Sequence, residues 1–288
     1  MSDRGILSSL RYLFADVIGE DDITPPFLPE GLPEAVVPIA SDAIHMLIDY
    51  QGASYAQLYV DRLKRFVGRR DLDETIFAEI ARLMAARMSY EDPIRISQLT
   101  LATLGDRRAA PVKEVRKFRI DELIGSLPAI VAEPVLDGLE WLGWLRLPVS
   151  IRFSTASRWG IWRLKLEAGL RRWRLLSVRY PKERASVERW LHMIDRSLTM
   201  QPAATPTIVQ TATMIAGYGG AYRQGMADWN AIIDGLVKPT FDGVLDLADL
   251  GGAVTEARAA ALPDPRQAAL KRKIAEIRAR VTAASHAA

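Results

Sequence analysis

The sequence predicts an all-α fold, an irregular multi-helix bundle with a proline-rich N-terminal tether and at most a minor β-hairpin. Three observations lead there. Apolar residues return at three- and four-residue steps through most of the chain, the spacing that puts them on one face of a helix. Prolines gather at Pro25 to Pro38, Pro202 to Pro206 and Pro263 to Pro265, where they interrupt that rhythm. Only Leu147, Val149, Ile151 and Phe153 alternate with the period of two that marks a strand, and one strand has nothing to pair with, so an extended loop or edge hairpin is expected there.

In chain order, residues 1–24 hold a short amphipathic helix carrying Ile6, Leu7, Leu10, Leu13, Phe14 and Val17. Residues 25–38 follow as a proline-rich linker, because proline removes backbone donors and biases its predecessor to extended geometry. A helical domain is expected over 39–260. Its first stripes are Tyr55, Leu58, Tyr59, Leu63, Phe66 and Val67, then Ile76, Ile80, Leu83, Met84 and Met88, with Asp71 or Asp73 capping the second. Another helix spans 91–104 and ends in a charged loop at Gly105 and Pro111. Residues 121–145 are helix-compatible but should be cut by Pro128 and Pro134. Ser154 or Thr155 starts a helix through Trp159, Trp162, Leu166 and Leu170, and Pro181 opens the next, with Val187, Trp190, Leu191 and Ile194 facing inward. Gly217, Gly219, Gly220 and Gly225 fall inside a helical region and should mark a turn or a close helix contact. Residues 261–288 supply a last charged helix with Leu270, Ile274, Ile277 and Val281, and a frayed tail from Thr282.

With 288 residues and no cysteine, the chain can bury a core yet offers no thiolate for disulfides, zinc, iron-sulfur clusters or nucleophilic catalysis. The N-terminus lacks an apolar run of signal-peptide type, and the most apolar stretch, 136–147, is too short to cross a bilayer, so a cytoplasmic location without a membrane span is expected. Net charge is only +3, but basic residues concentrate between Arg146 and Arg189.

Candidate chemistry is sparse. The glycine run at Gly217, Tyr218, Gly219 and Arg223 could serve as a turn or a ligand contact, but no buried strand precedes it and no Gly-Lys-Ser/Thr follows, which disfavours a phosphate loop. His45, His192 and His286 show no metal-ligand spacing; His45 reads as a hydrogen-bonded histidine on the Ile44, Leu47 and Ile48 face. Adjacent carboxylates such as Glu91 with Asp92 or Asp121 with Glu122 are better explained as helix caps than as an acid-base pair. No catalytic, cofactor-binding or metal residue is therefore expected. The unusual feature is the interleaving of tryptophan and arginine, with Trp159, Trp162, Arg163, Arg171, Arg172, Trp173, Arg174 and Trp190 as candidate interface residues. A basic groove with aromatic platforms for single-stranded nucleic acid competes with that reading, and so does the plainer one of solvated arginines over core tryptophans.

Leu47 to Tyr59, reading LIDYQGASYAQLY, then Arg82-Leu83-Met84-Ala85 with Tyr90-Glu91, resembles the start of the helical C-terminal domain of the indolepyruvate:ferredoxin oxidoreductase (2-oxoacid:acceptor oxidoreductase) beta-subunit family. Lys165 to Arg171, Tyr180 to Arg184, and Ile215 to Gly219 with Tyr222-Arg223 fall in the same order as further pieces of that domain, so the resemblance covers about 44–233 with gaps. It implies a complex that oxidatively decarboxylates 2-oxoacids with thiamine diphosphate and magnesium and passes electrons through iron-sulfur clusters to ferredoxin. No Gly-Asp-Gly with a following Asn-Asn occurs here, and no cysteine, so those cofactors are expected in catalytic partner subunits and none in this chain. The domain that precedes the helical module in the family has no counterpart before Pro25, so the resemblance implies a detached module, whether a separate subunit or a piece of a fused one, that braces or orients those subunits. The rivals are a basic helical protein binding single-stranded nucleic acid and a stand-alone enzyme built around His45 or His192.

Overall fold

A computed structural model of the chain describes residues 24–105, 113–125 and 129–287, and the side chains of 129–131, 172, 173 and 282–287 fall outside the description. The expected N-terminal helix and most of the loop after Gly105 lie outside the described residues, as does Pro128. What is described is helical apart from one two-stranded sheet, which makes the chain an all-α protein. The helices are α1 (Val37–Tyr50), α2 (Ala53–Leu63), α3 (Glu74–Met88), α4 (Pro93–Ala102), α5 (Ile120–Gly125), α6 (Ala129–Trp141), α7 (Arg158–Gly169), α8 (Arg179–Met200), α9 (Thr205–Gln210), α10 (Gly219–Ile232), α11 (Lys238–Phe241), α12 (Leu250–Ala259) and α13 (Ala268–Ala287). The strands are β1 (Lys113–Arg119) and β2 (Pro148–Ser154).

The single helical domain expected over 39–260 divides into two compact units whose segments alternate along the chain. The first unit consists of Ser41–Arg62 and Met88–Ala185, with the described residues before Pro29. In it, β2 has the partner that the sequence reading missed: β1 pairs antiparallel with Phe118 opposite Val149 and Phe153 opposite Glu114. The two buried rings meet edge to face at 6.3 Å. β1 went unread because its sequence, Lys-Glu-Val-Arg-Lys-Phe-Arg, contains one buried apolar residue among charges. Pro134 lies inside α6 and does not cut it as expected; one missing donor costs a helix a hydrogen bond, which a continuing ladder on either side tolerates. Ser157, rather than Ser154 or Thr155, caps α7, its hydroxyl accepting from the Gly160 N–H at 3.1 Å.

The second unit consists of Pro29–Ala40, Leu63–Arg87 and Ser186–Ala288. Asp73 caps α3, accepting from the Thr75 N–H at 2.8 Å. The inward face of α8 is the expected one: Val187, Trp190, Leu191 and Ile194 are buried, and Trp190 donates to the Ile208 carbonyl at 3.3 Å. After α10 the helix widens into a π turn, Ile233–Val237, before Pro239. Proline cannot donate to the Gly235 carbonyl four residues back, and Arg278 of α13 takes that acceptor at 3.1 Å. A Cβ on Gly235 would stand 2.8 Å from Ile274, so glycine is what lets α13 cross there. Leu270, Ile274 and Ile277 are the buried edge of α13, which continues through the residues expected to fray.

Candidate functional site

The arginine- and tryptophan-rich segment of the first unit separates into a buried node and an exposed stripe. The node forms at Asp92, the N-cap of α4, whose Oδ1 accepts from the Arg95 N–H at 2.6 Å while Pro93 fills the first helical position. Arg174, in the 3-10 segment Leu170–Leu176, grips the same carboxylate with Nε on Oδ2 at 2.6 Å and Nη2 on Oδ1 at 2.8 Å. Its Nη1 donates to the Tyr50 carbonyl at the end of α1, and its guanidinium lies 3.9 Å over the Tyr50 ring. Side-chain exposure is 1% for Arg174 and 2% for Asp92. Burial works to lower the Arg174 pKa, but the neighbouring Tyr50 and Asp92 outweigh it and hold the guanidinium more firmly protonated than usual.

Tyrosines close the node. The Tyr50 hydroxyl donates to the Tyr90 carbonyl at 3.2 Å and the Tyr55 hydroxyl to the Met88 carbonyl at 2.8 Å. Burial pushes the phenols of Tyr50, Tyr55 and Tyr90 above their ordinary range. Both carboxylate oxygens of Asp92 and all three guanidinium nitrogens of Arg174 are engaged, so this is a clasp joining the end of α1, the start of α4 and the 3-10 segment, with no open face for a reactant.

The stripe lies on α7. Trp159, Trp162 and Leu166 stand three and four residues apart, hence on one helical face, and are 70%, 54% and 55% exposed. The two indoles stack at 4.9 Å and 20°. Arg163 beside them is fixed on three sides: Nε pairs with Glu167 at 2.9 Å, Nη2 donates to the Arg152 carbonyl at 2.6 Å, and the guanidinium lies 5.9 Å from the Phe153 ring. The opposite side of α7 buries Leu164 and packs on α4, where Ser97 donates to Glu167 at 2.5 Å. The stripe is therefore held by a helix already anchored from behind.

The candidate interface residues thus do not form one surface. Trp159, Trp162 and Arg163 share the α7 face, and Arg171 is half-buried; Arg174 is in the core of the first unit and Trp190 in that of the second. The side chains of Arg172 and Trp173 lie outside the described residues. Arg174 could not be told from its neighbours by sequence, because a buried arginine and a solvated one look alike in a basic run. Its partner was the legible half, since Asp-Pro before an apolar run is a helix-start signal.

The glycine run is a turn, as its structural reading required. Gly217 and Gly219 have φ of 75° and 61°, Tyr218 between them is extended, and α10 starts at Gly219. Helical segments precede it, α9 and the 3-10 turn Thr211–Met214, so the strand that a phosphate loop needs is not in place. Tyr218 and Arg223 are half-buried beside the turn. His45 is exposed and not the buried residue of its helix face; His192 is exposed too, and the side chain of His286 is outside the description.

Iron-sulfur ligation does not fit this chain, which has no cysteine. Among the described residues no three His, Asp or Glu side chains gather to hold a metal ion, and no helix is long and apolar enough to cross a membrane. No curated protein and no solved structure matches the chain. One family does, over residues 36–235, a span that takes in the Asp92–Arg174 clasp, the α7 stripe and the glycine turn. The chain belongs to that family, described as a family of unknown function, DUF6537.

Proposed function

We propose that the chain is a non-catalytic helical accessory subunit or domain of a 2-oxoacid oxidoreductase complex of the indolepyruvate type, which braces or orients the catalytic subunits through the α7 stripe. The observation that carries the docking role is the stacked, exposed Trp159–Trp162 pair with Leu166 on a helix fixed from behind. Tryptophan and arginine dominate the energetics of protein interfaces because they bury large, rigid area, and a preformed stack loses little side-chain entropy on docking. The kind of partner is read from the motifs that resemble the oxidoreductase module, LIDYQGASYAQLY at Leu47 and the Gly-Tyr-Gly turn at Gly217. In this reading thiamine diphosphate, magnesium, the clusters and the electron path to ferredoxin belong to the partners, and this chain works in the cytoplasm.

The test is to isolate the native assembly through a tag on the full chain, identify the co-purifying proteins by mass spectrometry and record the absorbance of the assembly. A thiamine-diphosphate subunit and an iron-sulfur band are expected, both lost from the Trp159→Ser/Trp162→Ser variant. A stacked indole pair beside fixed arginine also suits base stacking. A colourless chain that elutes alone, yet is retained on single-stranded DNA in a salt-dependent way, would replace the accessory role with nucleic-acid binding.

A further inference from the structure

Within the second unit, the crossing of α10 over the 3-10 turn Thr211–Met214 opens onto a surface cleft of about 480 Å³, lined among others by Thr213, Gly225, Asp228, Thr255, Arg258 and Ala261. Gly225 makes the crossing possible, since a Cβ there would stand 1.9 Å from the Met214 carbonyl oxygen. Two residues of opposite charge are among those that line this cleft, and neither forms an ion pair among the described residues. Asp228 is 5% exposed, and its Oδ1 accepts from Gln224 Nε2 and Gln267 Nε2, both at 2.8 Å, which leaves Oδ2 without a protein donor. Arg258, half-buried on the last turn of α12, makes one hydrogen bond, from Nη2 to Thr213 Oγ1 at 3.1 Å. Thr213 spends its own proton on the Gln210 carbonyl at 2.8 Å, so it is committed as the acceptor that aims the guanidinium. Burial lowers the Arg258 pKa and no carboxylate offsets it, as expected for a cation held without a counter-ion.

A buried carboxylate and a half-buried guanidinium, each without a counter-ion and both lining one cleft, mark a binding site more often than scaffolding. We propose that the cleft binds a small zwitterion, an α-amino acid, with its carboxylate on Arg258 and its ammonium on Asp228 Oδ2. A simple anion such as phosphate would gain Arg258 but meet the Asp228 charge, and a simple amine would face the reverse. Only a ligand carrying both charges complements both residues. The volume is in the range of small-molecule sites, and this binding does not depend on the docking role of α7.

Isothermal titration of the full-length protein with individual L-amino acids, and with propionate, propylamine and inorganic phosphate as single-charge probes, decides it. At least one L-amino acid should bind one to one. Each single-charge probe should bind about tenfold more weakly or worse, and Arg258→Gln and Asp228→Asn should each weaken the amino acid about tenfold, with Arg258→Lys retaining more than Arg258→Gln. Saturation by no amino acid up to about 10 mM, tighter binding of phosphate, or unchanged affinity in both variants would overturn the proposal. Circular dichroism checks the fold of each variant; Asp228→Asn keeps the acceptor for both glutamines, so it decides the question if Arg258→Gln does not fold.

Discussion

At the scale of single residues, the stability of the first unit turns on the Asp92–Arg174 clasp. Both side chains are buried, and each satisfies the other and a backbone group: Asp92 the Arg95 N–H, Arg174 the Tyr50 carbonyl. Removing one partner strands a buried charge, so Arg174→Met or Asp92→Leu should each lower stability by about 3–5 kcal/mol, measured by urea denaturation. The double variant should cost less than the two single losses added, because it leaves no orphan charge. The tyrosines set the alkaline limit. Tyr50, Tyr55, Tyr59 and Tyr90 have phenol pKa values raised by burial, so their contribution is complete below about pH 10, where unfolded tyrosine begins to ionise, and fades as pH rises above it. The expected outcome of an alkaline titration is that tyrosinate absorbance from these four of the eight tyrosines appears together with loss of helical circular dichroism; ionisation of all eight while the helices remain would contradict it.

Whole elements obey local rules more than tertiary ones. Capping was readable because it is chemistry between neighbours: Asp73 before α3 and Asp92 before α4 sit where the sequence placed helix starts. Ser157→Ala should destabilise α7 by about 1 kcal/mol, and since α7 carries the tryptophan stripe, near-ultraviolet dichroism should lose indole signal on warming before the far-ultraviolet signal falls. Gly225→Ala should be far harsher than its helix propensity suggests, because the methyl group meets the Met214 carbonyl. A loss of about 1–3 kcal/mol is expected there, whereas Gly220→Ala, with only the Arg223 guanidinium 3.9 Å from its Cβ, should be nearly neutral in the same denaturation measurement. Where the element reading failed, at β1 and at Pro134, the reason is the same: a strand and a proline-bearing helix are stabilised by neighbours distant in sequence, which local pattern does not contain.

For the whole molecule, the surface prediction is a dissociation of stability from binding. Trp159 and Trp162 are mostly exposed, so Trp159→Ser/Trp162→Ser should leave the melting temperature within a few degrees of the parent while abolishing the co-purification expected under the proposed docking role; a large drop in melting temperature would mean the pair is structural. Helical class, the caps at Asp73 and Asp92, the inner face of α8 and the turn at Gly217 were legible in the sequence, because periodicity, capping and glycine chemistry act over three to five residues, whereas the cap of α7 lay at Ser157, two to three residues beyond the expected Ser154 or Thr155. What only the tertiary structure decided is which charges and rings face inward. Arg174 and Trp190 are core while Trp159 and Trp162 are surface, Asp228 and Arg258 line one cleft, and the chain divides into two units of alternating segments. The physical reason is that a side chain's burial is a property of the elements that come to cover it, and the sequence around an arginine or a tryptophan is the same whether or not a distant helix arrives there.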